Sequence, residues 1–361
     1  ANGDTQMEIQ WYNAARTPNE AILTSHKNTS QFLEYGATGD YRNYASSLGC
    51  TEEEIFSKIY AGVQVVSNGS TGYTYALNRA MPTSGHVGSL DLFNPEEHIW
   101  KDNVKYYLGT KDECGEKAYK AITQTFKNEK DMWVNFRGDP SYVAESGWPG
   151  LSGRVLERSV ISSMPFETSF CVGVGKHRFV EGEKQNTQDW YHSGVQSIMP
   201  TWRYWIENKE GLHVSIDWDD AYNFGSSLKI SGILLPGNHL MRLYKTMIPV
   251  NSGGTFRLVY KTSTPGSVEV RLATESKVDG EMITLTNPKT TEKNGWTVSE
   301  YDLSSLNGKT VYMIAINMKT DTKVTDYSLS LGELAMLPES YAPAAVTVSN
   351  LSTTSVLGEE K

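Results

Sequence analysis

The side chains best placed for chemistry in this chain stand where short apolar runs end. Met7-Glu-Ile-Gln-Trp-Tyr12 closes on Trp11, Tyr12 and Asn13, and Ser30-Gln-Phe-Leu-Glu-Tyr35 closes on Glu34 and Tyr35. Residues 58–66 carry Gln64, while 87–93 carry Asp91 and lead into Asn94 and, six residues on, Trp100. Amides, carboxylates and flat rings in this mixture suit a neutral, hydroxyl-rich ligand. The polar groups exchange hydrogen bonds with hydroxyls, and the rings lie against the apolar faces of sugars. For each aromatic taken singly, burial in a core is the competing reading.

The elements that would position these groups alternate. Short strands at 7–12, 30–35, 58–66 and 87–93 are separated by helical stretches at 40–48 and by a capping-box start at Thr51-Glu-Glu-Glu54. A further amphipathic helix is predicted over 113–127. Strand and helix in alternation are the signature of βα units around a parallel sheet, where ligands meet the carboxyl ends of the strands. From about residue 159 the pattern changes to frequent alternating strands with Asn- and Gly-rich turns such as Lys293-Asn-Gly295. Strands are predicted at 228–232, 240–244, 255–262, 267–273, 297–302, 310–318 and 327–334. The fold class read from this is α/β plus all-β: an α/β unit over 1–158, an antiparallel β-sandwich of jelly-roll type over 159–338, and a linker or the start of another module over 339–361.

Composition narrows the function. A net charge of −9 over 361 residues, with no basic stripe, argues against nucleic acid as a partner. No apolar run is long enough to span a bilayer. Three scattered cysteines, Cys50, Cys114 and Cys171, form neither a disulfide framework nor a zinc site, and no metal or cofactor is implied. Asp217, Asp219 and Asp220 lack the spacing of a calcium loop and read as a solvated acidic turn.

The most specific pattern is Pro-Phe-Glu-Thr-Ser-Phe-Cys-Val-Gly-Val-Gly (165–175), Phe179, Trp190-Tyr191 and Gln196-Ser-Ile-Met-Pro-Thr-Trp-Arg-Tyr-Trp205. With residues 219–231 following, this order resembles the junction of barrel and sandwich in the endo-β-N-acetylglucosaminidases of glycoside hydrolase family 85. Those enzymes cut the chitobiose core of N-glycans. The resemblance implies that the four strands are strands five to eight of a (β/α)8 TIM barrel, and that an N-terminal half-barrel segment outside the chain completes it.

Trp11-Tyr12 matches the family's Trp-Tyr-Asp, with Asn13 in place of Asp, and implies that the Tyr12 hydroxyl positions the substrate's acetamido group. Phe32-Leu-Glu-Tyr35 matches Phe-Leu-Asn-Tyr, Tyr60-Ala-Gly-Val-Gln64 matches Tyr-Ala-Gly-Ile-Asp, and Ser89-Leu-Asp-Leu-Phe-Asn-Pro95 matches Ser-Leu-Ala-Leu-Phe-Ala-Pro. Departures at 13, 34, 64 and 94 imply a divergent glycan preference. Trp11, Asn13, Glu34, Tyr35, Gln64, Asp91, Asn94 and Trp100 are the implied sugar-binding positions.

Most glycosidases pair two carboxylates. In the family resembled, the substrate's own N-acetyl oxygen is the nucleophile, and an Asn-x-Glu pair orients the acetamide and carries the proton. Asn208-Lys-Glu210 has that spacing but no apolar strand before it, and reads as a loop. The proton-transfer pair is therefore expected outside this chain, and this stretch alone is expected to be inactive. The function implied is retaining cleavage of the GlcNAc-β-1,4-GlcNAc core in the N-linked glycans of glycoproteins; the alternative is a glycan-binding protein without turnover. The modular layout further suggests a secreted, surface-attached or periplasmic bacterial enzyme.

Overall fold

The structure, a computed structural model, describes residues 8–34, 41–64, 89–99, 116–134, 151, 159–186, 188–200, 205–208, 210–277 and 280–342. Its N-terminal part is one parallel sheet, β1 (Ile9–Tyr12), β2 (Thr29–Leu33), β3 (Ile59–Gln64) and β4 (Ser89–Phe93), in that spatial order. Parallel neighbours need a crossover. Helices α1 (Glu20–Thr24), α2 (Tyr41–Ser47) and α3 (Glu52–Lys58) lie in the first two. Helices α4 (Pro95–Ile99) and α5 (Glu116–Val134) follow β4.

Local chemistry sets the boundaries. Asn19 caps α1 by accepting the Ala21 N–H at 2.9 Å. Thr51 and Glu54 form the expected capping box, and the Thr51 bonds hold the exposed Glu54 carboxyl below its ordinary pKa. The helix that this box opens, α3, runs for seven residues. It ends where the β-branched and small residues from Ile59 onward pair with β2. One face of the sheet is apolar: Leu33, Ile59, Ala61 and Val63 pack with Leu23, Tyr41, Ala45 and Ile55 from the helices. The other strand faces are more open. At the β1 edge Ile9, Trp11 and Tyr12 are 59, 37 and 50% exposed.

The second part is antiparallel. A five-stranded sheet runs Trp205–Ile206, Gly237–Val250, Lys309–Thr320, Val268–Ala273, Met282–Thr284. The facing sheet runs Leu212–Asp217, Ser227–Leu234, Val324–Leu337, Thr255–Thr262, Trp296–Asp302, Lys289–Lys293, with Phe166–Thr168 added on Val324–Leu337. Leu228, Ile230, Met241, Phe256, Leu258, Ile314 and Leu329 are among the side chains of the core between the sheets. The strands at 237–250, 309–320 and 324–337 outrun their predicted ends because β-bulges carry them past local breaks in alternation.

Helix α5 joins the two parts. Trp218 packs its ring against Tyr119 at 4.7 Å between centroids, and its indole N–H donates to Thr123 Oγ1 at 3.3 Å. Ile216, Ile122, Phe126, Val172 and Val174 complete that cluster. The aspartates beside Trp218 are paired with lysines: Lys229 with Asp217 at 2.9 Å, Lys176 with Asp219 at 3.3 Å and Lys261 with Asp220 at 2.6 Å. Residues 343–361, most of the predicted linker, lie outside the described residues.

Candidate functional site

Strand register decides which predicted side chains can meet. Tyr12 pairs with Phe32, Phe32 with Tyr60, Gly62 with Asp91 and Gln64 with Phe93. Side chains alternate along a strand, so Tyr12, Phe32, Gln64, Asp91 and Phe93 share the face away from the helices, and Glu34 continues it beyond β2. Trp11 pairs with Gln31 on the opposite, helix-side face. The structure therefore brings Tyr12, Glu34, Gln64 and Asp91 to one surface at the carboxyl ends of the strands and does not bring Trp11 there. Tyr35 and Trp100 lie outside the described residues.

The floor of this surface is aromatic. Tyr12 meets Phe32 edge-on at 5.3 Å, and Phe32 leans toward Phe93 at 6.5 Å. Gly62 permits the arrangement. A Cβ there would stand 2.4 Å from Phe32 Cζ and 2.5 Å from the Leu33 carbonyl oxygen. Phe32, Gly62 and Phe93 were not singled out from the sequence. The signal was available in Gly62, since a glycine inside an apolar strand marks a close approach.

The polar groups divide into two sets. Among the described residues, the side chains of Tyr12, Gln64 and Asp91 make no hydrogen bond, and they stand free to serve a ligand. Asn13 and Glu34 are engaged with the chain itself. Asn13 Oδ1 accepts from the Ala15 N–H and from Gln31 Nε2, each at 3.3 Å. The Glu34 carboxylate accepts from Arg16 Nε at 3.3 Å, and the Glu34 N–H donates to the Ala15 carbonyl at 2.8 Å. Asn94 has φ 55°, a left-handed conformation that asparagine tolerates better than most residues, and its carbonyl accepts the Glu97 N–H at 3.1 Å. It turns the chain from β4 into α4.

No group of three or more His, Cys, Asp or Glu among the described residues is arranged to hold a metal ion. Asn208 has φ 54°, and its carbonyl lies 2.7 Å from His239 Nδ1. It is in a turn, as its sequence context suggested.

The model of glycosyl hydrolase family 85 matches residues 3–178. The human cytosolic endo-beta-N-acetylglucosaminidase is 28% identical over 221 residues, 59% of this chain and 25% of that protein. The Danio rerio enzyme of the same name is 24% identical over 270 residues, 74% of this chain and 32% of that protein. The chain thus spans about a quarter to a third of the length of these curated relatives. Among solved structures, the Endo-D glycoside hydrolase domain of Streptococcus pneumoniae R6 superposes with a TM-score of 0.69 at 25% identity, covering 93% of this chain and 54% of that one. The curated relatives, from vertebrates and from Arabidopsis thaliana, are named cytosolic. This overturns the expectation of a secreted or surface-attached bacterial enzyme. An appended sandwich serves interdomain packing equally well in either compartment, so modular layout says little about export.

Proposed function

We propose, for a chain whose residues 3–178 belong to glycosyl hydrolase family 85, that the full-length protein is a cytosolic endo-β-N-acetylglucosaminidase acting on the chitobiose core of N-glycans. The observation that carries this reading is the surface of Tyr12, Gln64 and Asp91 above the row Tyr12–Phe32–Phe93, at the carboxyl ends of parallel strands. Unpartnered polar groups beside the exposed rings of Tyr12 and Phe93 are what a pyranose with an N-acetyl arm requires.

In this reading β1–β4 are strands five to eight of a (β/α)8 barrel, and the antiparallel part is a jelly-roll sandwich. The exposed apolar edge of β1 supports the first point, since Ile9, Trp11 and Tyr12 gain burial when a further strand pairs there. The acetamido oxygen of the substrate attacks the anomeric carbon as the glycosidic bond to the second N-acetylglucosamine breaks and its leaving oxygen takes a proton. Water then opens the resulting oxazolinium ion from the vacated face, so that two inversions retain the configuration. Tyr12 donates to that acetamido group, Gln64 and Asp91 hold sugar hydroxyls, and the orienting asparagine and acidic glutamate come from polypeptide outside these 361 residues.

The test is incubation of the full-length protein with a high-mannose glycoprotein, followed by mass spectrometry of both products. Released glycan, with one N-acetylglucosamine left on asparagine, is expected. A Tyr12→Phe variant should lower kcat about 10²-fold without loss of stability, since Tyr12 is half exposed. Absence of release from high-mannose, trimmed and complex glycoproteins alike would refute the reading.

A further inference from the structure

The geometry points to Gln31 as a positioning residue for this site, acting through Asn13, which serves it as a hydrogen-bond acceptor and not as a sugar ligand. The inference rests on the reading of the Tyr12 face as the glycan site. Gln31 is fully buried on the helix-side face of β2, whose neighbour there, Leu33, is likewise fully buried in the apolar core. A buried amide is costly unless its donors and acceptor are satisfied.

Every partner of this one lies on a single loop, the one that leaves β1 just after Tyr12. Gln31 Oε1 accepts the Asn19 N–H at 2.7 Å. Gln31 Nε2 donates to Asn13 Oδ1 at 3.3 Å and to the Thr17 carbonyl at 3.5 Å. The loop bends through Ala14 at φ 55°, a left-handed conformation unfavourable for alanine, and needs such external ties to persist. Glu34 adds a second tie through its N–H to Ala15 and its carboxylate to Arg16.

The chemistry of each partner is specific. Gln31 must both donate and accept. Leucine does neither, and glutamate would turn a carboxylate oxygen toward two acceptors, Asn13 Oδ1 and the Thr17 carbonyl. Asn13 is required only to accept, because Oδ1 makes both of its contacts. Aspartate fills that role as well as asparagine does. A sugar ligand using the Asn13 amide N–H groups would not tolerate the exchange.

The experiment compares Q31L, N13L and N13D in the full-length protein by glycan-release kinetics and by hydrogen exchange of the loop amides 13–19. N13D is expected to keep wild-type kcat and KM. N13L and Q31L are expected to lower kcat by about tenfold to hundredfold with KM little changed, and to lose exchange protection at Ala15 and Asn19. N13D falling as far as N13L would overturn the inference, as would Q31L with wild-type protection at Asn19. Should Q31L fail to fold, the contrast between N13D and N13L still decides. A wild-type protein that releases no glycan defeats the glycosidase reading; the exchange pattern then judges the positioning role by itself.

Discussion

Removing the Trp218 side chain should loosen the antiparallel part from helix α5. Trp218 is 7% exposed, packs against Tyr119 with ring centroids 4.7 Å apart and donates to Thr123 Oγ1 at 3.3 Å. Truncating a buried tryptophan to alanine costs about 3–5 kcal/mol, within which an aromatic pair accounts for about 0.5–1.5. The hydrogen bond adds little. Thr123 keeps its own donation to the Tyr119 carbonyl at 2.9 Å, so no buried donor is orphaned. Trp218→Phe, which keeps a ring on Tyr119 but loses the indole N–H and part of the buried ring volume, should cost less, about 1–3 kcal/mol. Denaturant unfolding of the full-length protein reads the stability, and hydrogen exchange over residues 116–134 reads the docking. Trp218→Ala should bring faster exchange along α5 at positions 119, 122 and 126, which face the cluster. If Trp218→Ala stays within about 1 kcal/mol of wild type, the contact is incidental and the helix is held by something else.

Two further outcomes follow from packing and charge. Gly62→Ala places a methyl group 2.5 Å from a carbonyl oxygen of the neighbouring strand, which cannot move without shifting β2. A loss of about 1–3 kcal/mol with reduced glycan release is expected, and unchanged thermal stability would contradict the close packing of Phe32. Burial pushes the Glu333 carboxyl above its ordinary value of 4.5, in spite of Arg257 Nε at 2.6 Å and Asn223 Nδ2 at 2.9 Å. A raised folded pKa favours the native state while the group is protonated, so this contribution is complete below pH 4.5 and is lost as pH rises through the folded pKa. Unfolding free energies of wild type and Glu333→Gln, compared from about pH 4 upward, should show wild type losing ground to the variant; each tenfold difference in proton affinity between folded and unfolded chain is worth about 1.4 kcal/mol. The opposite slope would mean that the Arg257 pairing outweighs desolvation.

Much of this architecture was legible because it is written in periodicity. Four apolar runs separated by helix signals led to a parallel sheet, and regular strand spacing after residue 159 led to antiparallel sheets. Of the strands missed, those at 212–217, 282–284 and 289–293 are partly or wholly exposed, while others, such as Phe166–Thr168 and Trp205–Ile206, are only two or three residues long. Lys289–Lys293, exposed throughout, has no buried side to impose alternation.

The candidate site was legible to the level of which strand ends carry it, and no further, because function there turns on which way each side chain faces. Trp11 and Tyr12 are adjacent in sequence and look equally apt for a sugar, yet one-residue alternation sends them to opposite faces. The same alternation hides Gln31. In the run Ser30-Gln-Phe-Leu-Glu it reads as a polar interruption of a strand, and only the fold reveals that all its partners lie in the loop between Tyr12 and α1. A polar residue on the apolar side of a buried sheet has to be explained by what it bonds. In this chain those bonds lead to the loop beside Tyr12, and the packed face thereby sets the geometry of the open one.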